Sequence, residues 1–160
     1  PPDRRRLMAV SVNDTGRRVQ RFCTFWVGDQ HYGLDVESVR EVLKSQSTTL
    51  VPAASPTIRG LINLRGEIVT AIDLRRRLDL PALDGEAPTM NVVISLAGEI
   101  VSLIVDAVGD VVDLPLDVLV AAPATVPPVV RDMTVGVFRQ DGGLLQILDA
   151  SRLVPDEDGE

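Results

Sequence analysis

Gly60-Leu-Ile-Asn-Leu-Arg-Gly-Glu-Ile-Val-Thr-Ala-Ile-Asp-Leu74 returns in degenerate form as Gly136-Val-Phe-Arg-Gln-Asp-Gly-Gly-Leu-Leu-Gln-Ile-Leu-Asp-Ala150. At one fixed offset Gly60 meets Gly136, Gly66 meets Gly142 and Asp73 meets Asp149. The apolar pairs Ile62/Phe138, Val69/Leu145 and Ile72/Leu148 fall in step. Two apolar runs around a tight turn signal a hairpin, and matched glycines imply matched backbone demands. The chain reads as one β unit used twice.

An earlier echo points the same way. Phe25–Asp35 is a hairpin pattern around Gly28-Asp29, and Ile94–Asp106 is another around Gly98-Glu99. Val39-Arg-Glu-Val42 follows the first and Val108-Gly-Asp-Val111 the second. Each half thus runs hairpin, irregular middle, hairpin. That arrangement predicts two small similar barrels rather than a solenoid, which needs three or more repeats.

Composition sets the bounds. With 160 residues, 45% of them hydrophobic, the chain can bury a substantial core in one large domain or two small ones. Only 3% is aromatic, so valine, leucine and isoleucine must fill that core, and the β-branched members favour strands. No apolar run approaches the ~18 residues of a membrane-spanning helix, so no direct membrane insertion is expected. A lone Cys23 suggests a reducing, cytoplasmic setting. The net charge of −7 argues against nucleic acid, whose phosphates require clustered positive surface. Residues 1–20, with Arg4–Arg6 and Arg17-Arg18, read as a flexible leader, and residues 155–160 as a solvated acidic tail.

Local signals divide the rest. Phe22–Val27 and His31–Val36 form the first predicted hairpin, and the helical spacing of Val36, Val39 and Leu43 predicts a short turn of helix after it. Pro52 and Pro56 bracket a loop. Gly60–Leu64 and Glu67–Leu74 pair around Arg65-Gly66, and Asp79–Pro88 is the best linker. Asn91–Leu96 and Ile100–Asp106 are almost wholly apolar, as expected of strands covered on both faces. Leu114–Leu119 reads as a short helix, Ala121–Pro128 as a loop, and Val135–Arg139 with Leu144–Leu148 as the last hairpin. Asp149 is placed to cap a terminal helix.

Catalytic constellations are hard to find. His31, the only histidine, reads as a solvated hairpin residue, and no Cys/His spacing suits zinc. Cys23 has no matching base and reads as a buried strand residue. The carboxylates Asp106 and Asp110 could be pictured as an acid/base pair. A turn or capping role explains Asp106, opposite Asp35 in the repeat, without chemistry, and likewise Asp73 and Asp149. Neither enzyme activity nor a cofactor or metal is expected. Binding is left, and Arg65 is its marker: a turn arginine is either solvated or a planar five-donor anchor at an interface.

Gly60-Leu-Ile-Asn-Leu-Arg-Gly-Glu-Ile-Val-Thr-Ala-Ile-Asp-Leu-Arg75 closely resembles the signature of the CheW family, the bacterial chemotaxis adaptors. The likeness runs from about Arg21 to Val154 and includes Tyr32-Gly-Leu-Asp35 and Val105-Asp-Ala-Val-Gly-Asp-Val111. Thr70 departs from it where the family usually has proline, a change read as local to an edge strand. The resemblance implies an all-β fold of two five-stranded SH3-like barrels on a shared hydrophobic interface, with short helices. The domain would span 21–154, with barrels at roughly 21–78 and 89–154. It implies a non-catalytic adaptor that couples the cytoplasmic tip of a methyl-accepting chemotaxis receptor to the regulatory domain of a CheA-type histidine kinase. Such a protein would be cytoplasmic and recruited to membrane receptor arrays. Carried over residue by residue, the receptor groove would comprise Val36, Val39, Glu41, Arg65, Ile68, Val108 and Val111, and Gly60 would mark the kinase contact.

Two other readings stand beside this one. The chain could be the CheW-like regulatory domain of a kinase, or part of an adaptor fused to a receiver; no ATP-binding or receiver segment is present. It could also be a ligand- or nucleic-acid-binding small barrel, against which acidic charge and scarce aromatics count.

Overall fold

The computed structural model describes residues 10–12, 16–50, 56–81 and 87–154. The chain forms eleven strands among these residues: β1 Val10–Val12, β2 Arg18–Val27, β3 Gln30–Asp35, β4 Val39–Lys44, β5 Ile58–Leu64, β6 Glu67–Asp73, β7 Met90–Leu96, β8 Glu99–Val105, β9 Ala107–Pro115, β10 Thr134–Gln140 and β11 Gly143–Leu148. Three single-turn helices accompany them, α1 Leu74–Arg77, α2 Pro128–Asp132 and α3 Ala150–Leu153, with 3₁₀ turns at Val36–Ser38 and Leu116–Val118. Expected loops and tails at 1–9, 13–15, 51–55, 82–86 and 155–160 lie outside the described residues. The leader was expected to be flexible throughout, yet Val10–Val12 pairs with Arg18–Gln20 as an added edge strand.

Two sheets result. In one the order is β1-β2-β3-β11-β10, with β9 on the other edge of β2; in the other it is β4-β7-β8-β6-β5. The duplication is visible in the hydrogen-bond registers. Ile62 opposes Val69 as Phe138 opposes Leu145, and the bulge between Ile58 and Gly60 recurs between Thr134 and Gly136. Likewise Phe25 lies between Tyr32 and Val108 as Ile94 lies between Val101 and Val39.

The sheets do not follow the halves of the chain, and the expected division into barrels at 21–78 and 89–154 is corrected here. The first sheet takes β2 and β3 from the first repeat and β9, β10 and β11 from the second. The second sheet takes β4, β5 and β6 from the first and β7 and β8 from the second. The physical reason is edge availability. The outer edge of β3 is occupied by β11, Leu145 beside His31, so after Asp35 the 3₁₀ turn carries the chain to the open edge of β7. Asp106 makes the return crossing, from β8 to β9 on the edge of β2. Thr70 is also relocated: β6 is an interior strand, with Leu61 on one side and Val101 on the other.

Three apolar clusters hold this arrangement. The largest lies between the sheets and takes Phe25, Tyr32 and Leu34 from one, Ile72, Ile94 and Leu103 from the other, and Leu153 from α3. Each sheet also curls on a small core of its own, Phe22, Phe138, Leu145 and Ile147 in the first and Ile62, Val69 and Ala71 in the second. Burying a side chain of this kind contributes roughly 1.5–3 kcal/mol. Asp73 and Asp149, equivalent in the repeat, cap α1 and α3 through the backbone N–H groups of Arg75 and Ser151. Asp106 does more than shape a turn. It accepts from the Gly28 N–H and from the Arg75 guanidinium, tying β2 and α1 together across the interface.

Candidate functional site

The hairpin tip explains the signature residue by residue. Arg65 and Gly66 both adopt positive φ, 53° and 87°, as the two-residue turn closing a right-twisted hairpin requires. The Asn63 side-chain oxygen accepts the Gly66 N–H at 2.8 Å and locks that turn. In this conformation the Arg65 side chain reaches across to β4. Its Nη1 and Nη2 donate to Glu41 Oε2 and Oε1 at 2.9 and 2.6 Å, a fork-on-fork pair. The second sheet has no β4–β5 rung among the described residues, so this ion pair spans the gap between its two edge strands. The hydrogen bond from Arg65 holds the Glu41 carboxyl below its ordinary value, and the Arg65 guanidinium is correspondingly raised. Below the pair lies a recess of about 200 Å³ with Leu64, Val93 and Ile100 in its walls.

The remaining expected receptor residues spread over both sheets. Val36 opens the 3₁₀ turn and is half-buried. Val39 and Val108 occupy equivalent positions, half-buried and packed on the shared core, so they support the fold as well as facing outward. Val111 on β9 and Ile68 on β6 are 55% and 62% exposed. Of the seven, Glu41 and Arg65 are joined by side-chain hydrogen bonds, and the Val39 N–H donates to the Val36 carbonyl oxygen in the 3₁₀ turn. Val42 was missed. It occupies on β4 the place of Val111 on β9 and is 36% exposed, as the paired Val39–Val42 and Val108–Val111 motifs imply.

Gly60 has a local structural duty. Its φ is 154°, and a Cβ there would lie 2.1 Å from the Thr49 carbonyl oxygen, because Thr49 crosses β5 in a two-hydrogen-bond bridge to Leu61. Gly60 itself is buried, so it shapes the end of the sheet without presenting a side chain. His31 is not simply solvated. Its ring stacks on Trp26 at 4.1 Å, and Nδ1 lies 3.0 Å from Gln140 Oε1. Cys23 is buried in β2, and burial pushes its thiol up, away from the reactive thiolate. Among the described residues no cluster of three or more His, Cys, Asp and Glu could hold a metal ion, and no helix is long and apolar enough to cross a membrane.

The family model for the CheW-like domain matches residues 21–158. The chain is 31% identical over 141 residues to the chemotaxis protein CheW of Bacillus subtilis (strain 168), spanning 88% of this chain and 90% of that one. It is also 31% identical over 147 residues to protein FrzA of Myxococcus xanthus, spanning 86% and 87%. Among solved structures, the scaffolding protein TtCheW of Thermoanaerobacter tengcongensis superposes with a TM-score of 0.76 at 27% identity, covering 88% of this chain and 90% of that one. Two similar β sheets packed on a common core, an Asn-Leu-Arg-Gly turn clasped to the neighbouring strand, and a family match over most of the chain lead to one conclusion: the chain belongs to the CheW family.

Proposed function

We propose that this chain couples the helical cytoplasmic tip of a chemotaxis receptor to the regulatory domain of a CheA-type histidine kinase. The coarser statement follows from family membership: the protein is a non-catalytic adaptor of chemotaxis signalling. The observation that carries the finer one is the Glu41–Arg65 clasp. The equivalent turn of the second repeat has Asp141, so hairpin geometry does not demand arginine at this tip. An arginine preorganised over a recess walled by Leu64, Val93 and Ile100 and rimmed by charged side chains, and 72% exposed at its side chain, suits an interface anchor. A receptor helix would lay an apolar stripe along Val36, Val39, Val42, Val108, Val111 and Ile68, read at i, i+3, i+4 spacing. The kinase domain would meet the sheet end shaped by Gly60. Holding both partners lets receptor state bias kinase state, a coupling of ~1–3 kcal/mol that is reciprocal between the sites. The adaptor would work in the cytoplasm, at membrane receptor arrays.

Calorimetric titration of Arg65→Ala with a receptor-tip fragment and, separately, with the kinase regulatory domain tests this reading. Receptor affinity is expected to fall roughly tenfold or more, as for a charged anchor. Wild-type affinity for both partners would remove the clasp from the interface.

A further inference from the structure

The repeat creates two equivalent crevices, and they have diverged. Arg59 and the cross-strand pair Asn91 and Ile104 wall a space of about 640 Å³. Val135 and the pair Phe22 and Asp35, at the matching positions, wall one of about 170 Å³. Thr48, beside Gly60 in the first, gives way to Leu119, beside Gly136 in the second. The small copy shows that the fold itself requires neither the open volume nor an arginine at position 59.

The bulge between Ile58 and Gly60 takes Arg59 out of the ladder and re-aims its side chain, so that it lines the large crevice with Arg75 and Arg76. Arg75 is neutralised there: it donates to Asp106 and to the Pro81 carbonyl oxygen. Arg59 and Arg76 share a single carboxylate oxygen, Asp73 Oδ2, at 3.4 and 3.5 Å. The other oxygen of Asp73 accepts from the backbone N–H groups of Arg75 and Arg76. Three guanidiniums thus face two carboxylates, in a chain whose net charge is −7. Arg59 Nε and Nη2 and Arg76 Nη2 have no hydrogen-bond partner among the described residues, and both side chains are half exposed.

Two guanidinium forks with open donors and a surplus of positive charge suit an oxyanion rich in acceptor oxygens. A carboxylate brings one charge and two oxygens. A phosphate monoester brings a charge of about −1.5 to −2 and three oxygens, and so matches both forks at once. The crevice is larger than a phosphate group, and Leu50 and Leu80 add apolar wall for a carbon skeleton. We infer that this crevice is a binding site for a phosphate monoester. Arg59 and Arg76 hold its oxygens, Asp73 keeps the two arginines together, and the organic part lies toward Leu50 and Leu80. The site is separate from the Glu41–Arg65 clasp and independent of which partner that clasp takes.

NMR titration of the isotope-labelled full chain at constant ionic strength tests the inference, with phenyl phosphate, inorganic phosphate and benzoate as probes. Phenyl phosphate should give saturable shifts at Thr48, Thr89 and the Arg59 and Arg76 guanidiniums, and none at Val135 or Phe22 of the matching crevice. It should bind more tightly than either inorganic phosphate or benzoate. Arg59→Val, the residue type that the other repeat carries there, and Arg76→Gln should each weaken it roughly tenfold or more, with circular dichroism unchanged. Arg59→Lys, which keeps the charge without the fork, should restore only part of the affinity. Wild-type affinity in the folded arginine variants would overturn the site. Shifts reproduced by chloride alone would reduce it to screening, and benzoate or inorganic phosphate binding as tightly as phenyl phosphate would overturn the ligand class.

Discussion

Gly60 gives the sharpest test of how the signature hairpin is built, because three glycines of the repeat differ in what a methyl group would meet. In Gly60→Ala the new Cβ would lie 2.1 Å from the Thr49 oxygen and 2.7 Å from Thr48 Cγ2, at a φ of 154° that side chains rarely adopt. The crossing segment must then give way, with its two backbone hydrogen bonds, Thr49 N to Leu61 O and Leu61 N to Thr49 O, both 2.8 Å. Two hydrogen bonds at ~0.5–1.5 kcal/mol each, plus ~1–2 kcal/mol for the backbone, predict a loss of about 2–5 kcal/mol. Gly136→Ala meets Leu119 at 2.8 Å and the Val120 oxygen at 2.9 Å, without a positive φ. Its cost should be the ~1–3 kcal/mol of overpacking. Gly66→Ala meets no atom within 4 Å but keeps a φ of 87°, so only the backbone cost of about 1 kcal/mol applies. Urea denaturation of the three variants, at unchanged m-value, measures the series. A Gly60→Ala loss no larger than that of Gly66→Ala would refute the account of the crossing segment. Kinase binding by folded Gly60→Ala then separates shape from contact: the shape of this sheet end is what the proposal assigns to the kinase.

Other expectations follow from the same geometry. The folded-state value of Glu41 is depressed, so its contribution is present above the unfolded carboxylate value and lost as pH falls through the folded one. Receptor affinity should hence be flat between about pH 8 and pH 6, and a fall in that window on calorimetry would contradict the clasp. Val42→Asp should leave the melting temperature nearly unchanged and weaken receptor binding, whereas Val39→Asp, packed on the shared core, should cost about 2–4 kcal/mol in denaturant melts. Equal stability of the two would overturn the distinction between these valines. Arg75→Ala should destabilise by about 1–3 kcal/mol, because the side chains of Arg75 and Asp106 are only 13% and 23% exposed and the carboxylate would lose its cation. An unaltered unfolding midpoint would show that the Gly28 N–H alone satisfies Asp106.

Much of this was legible in the sequence because hairpins are local. The Arg65-Gly66 tip, the pairing of Ile62 with Val69 and the caps Asp73 and Asp149 all follow from residues less than 20 apart, where turn chemistry and alternation decide the outcome. The exchange of strands was not legible, since which edge β4 takes depends on β11 having filled the edge of β3, a contact between His31 and Leu145. Strand β9 hid for a related reason. Its pattern of half-exposed residues, Ala107–Pro115, lacks clean alternation, and it is held by pairing with β2 and by Arg21–Asp113. Of the candidate site, the signature marked Arg65 and the family resemblance Glu41, but the bidentate bond between them joins a turn to an edge strand 24 residues earlier, beyond local pattern. The Asp106–Arg75 tie went unread because each residue, taken alone, resembles ordinary turn and helix chemistry.

The strand exchange has a consequence for inheritance and for engineering. A duplicated module ordinarily yields two units that can be parted and studied singly, but here each sheet is assembled from both copies. Neither copy, expressed by itself, can complete a hydrophobic layer: the first lacks β7 beside β4, and the second lacks β2 beside β9. Opening the chain within 82–86 should therefore give two polypeptides that are unfolded apart and fold only together, a natural split protein whose halves recognise each other by reciprocal donation of strands. An ancestor with a single copy would have met the same need as a symmetric homodimer, and fusion of the two genes would have turned an equilibrium between subunits into a fixed covalent partnership.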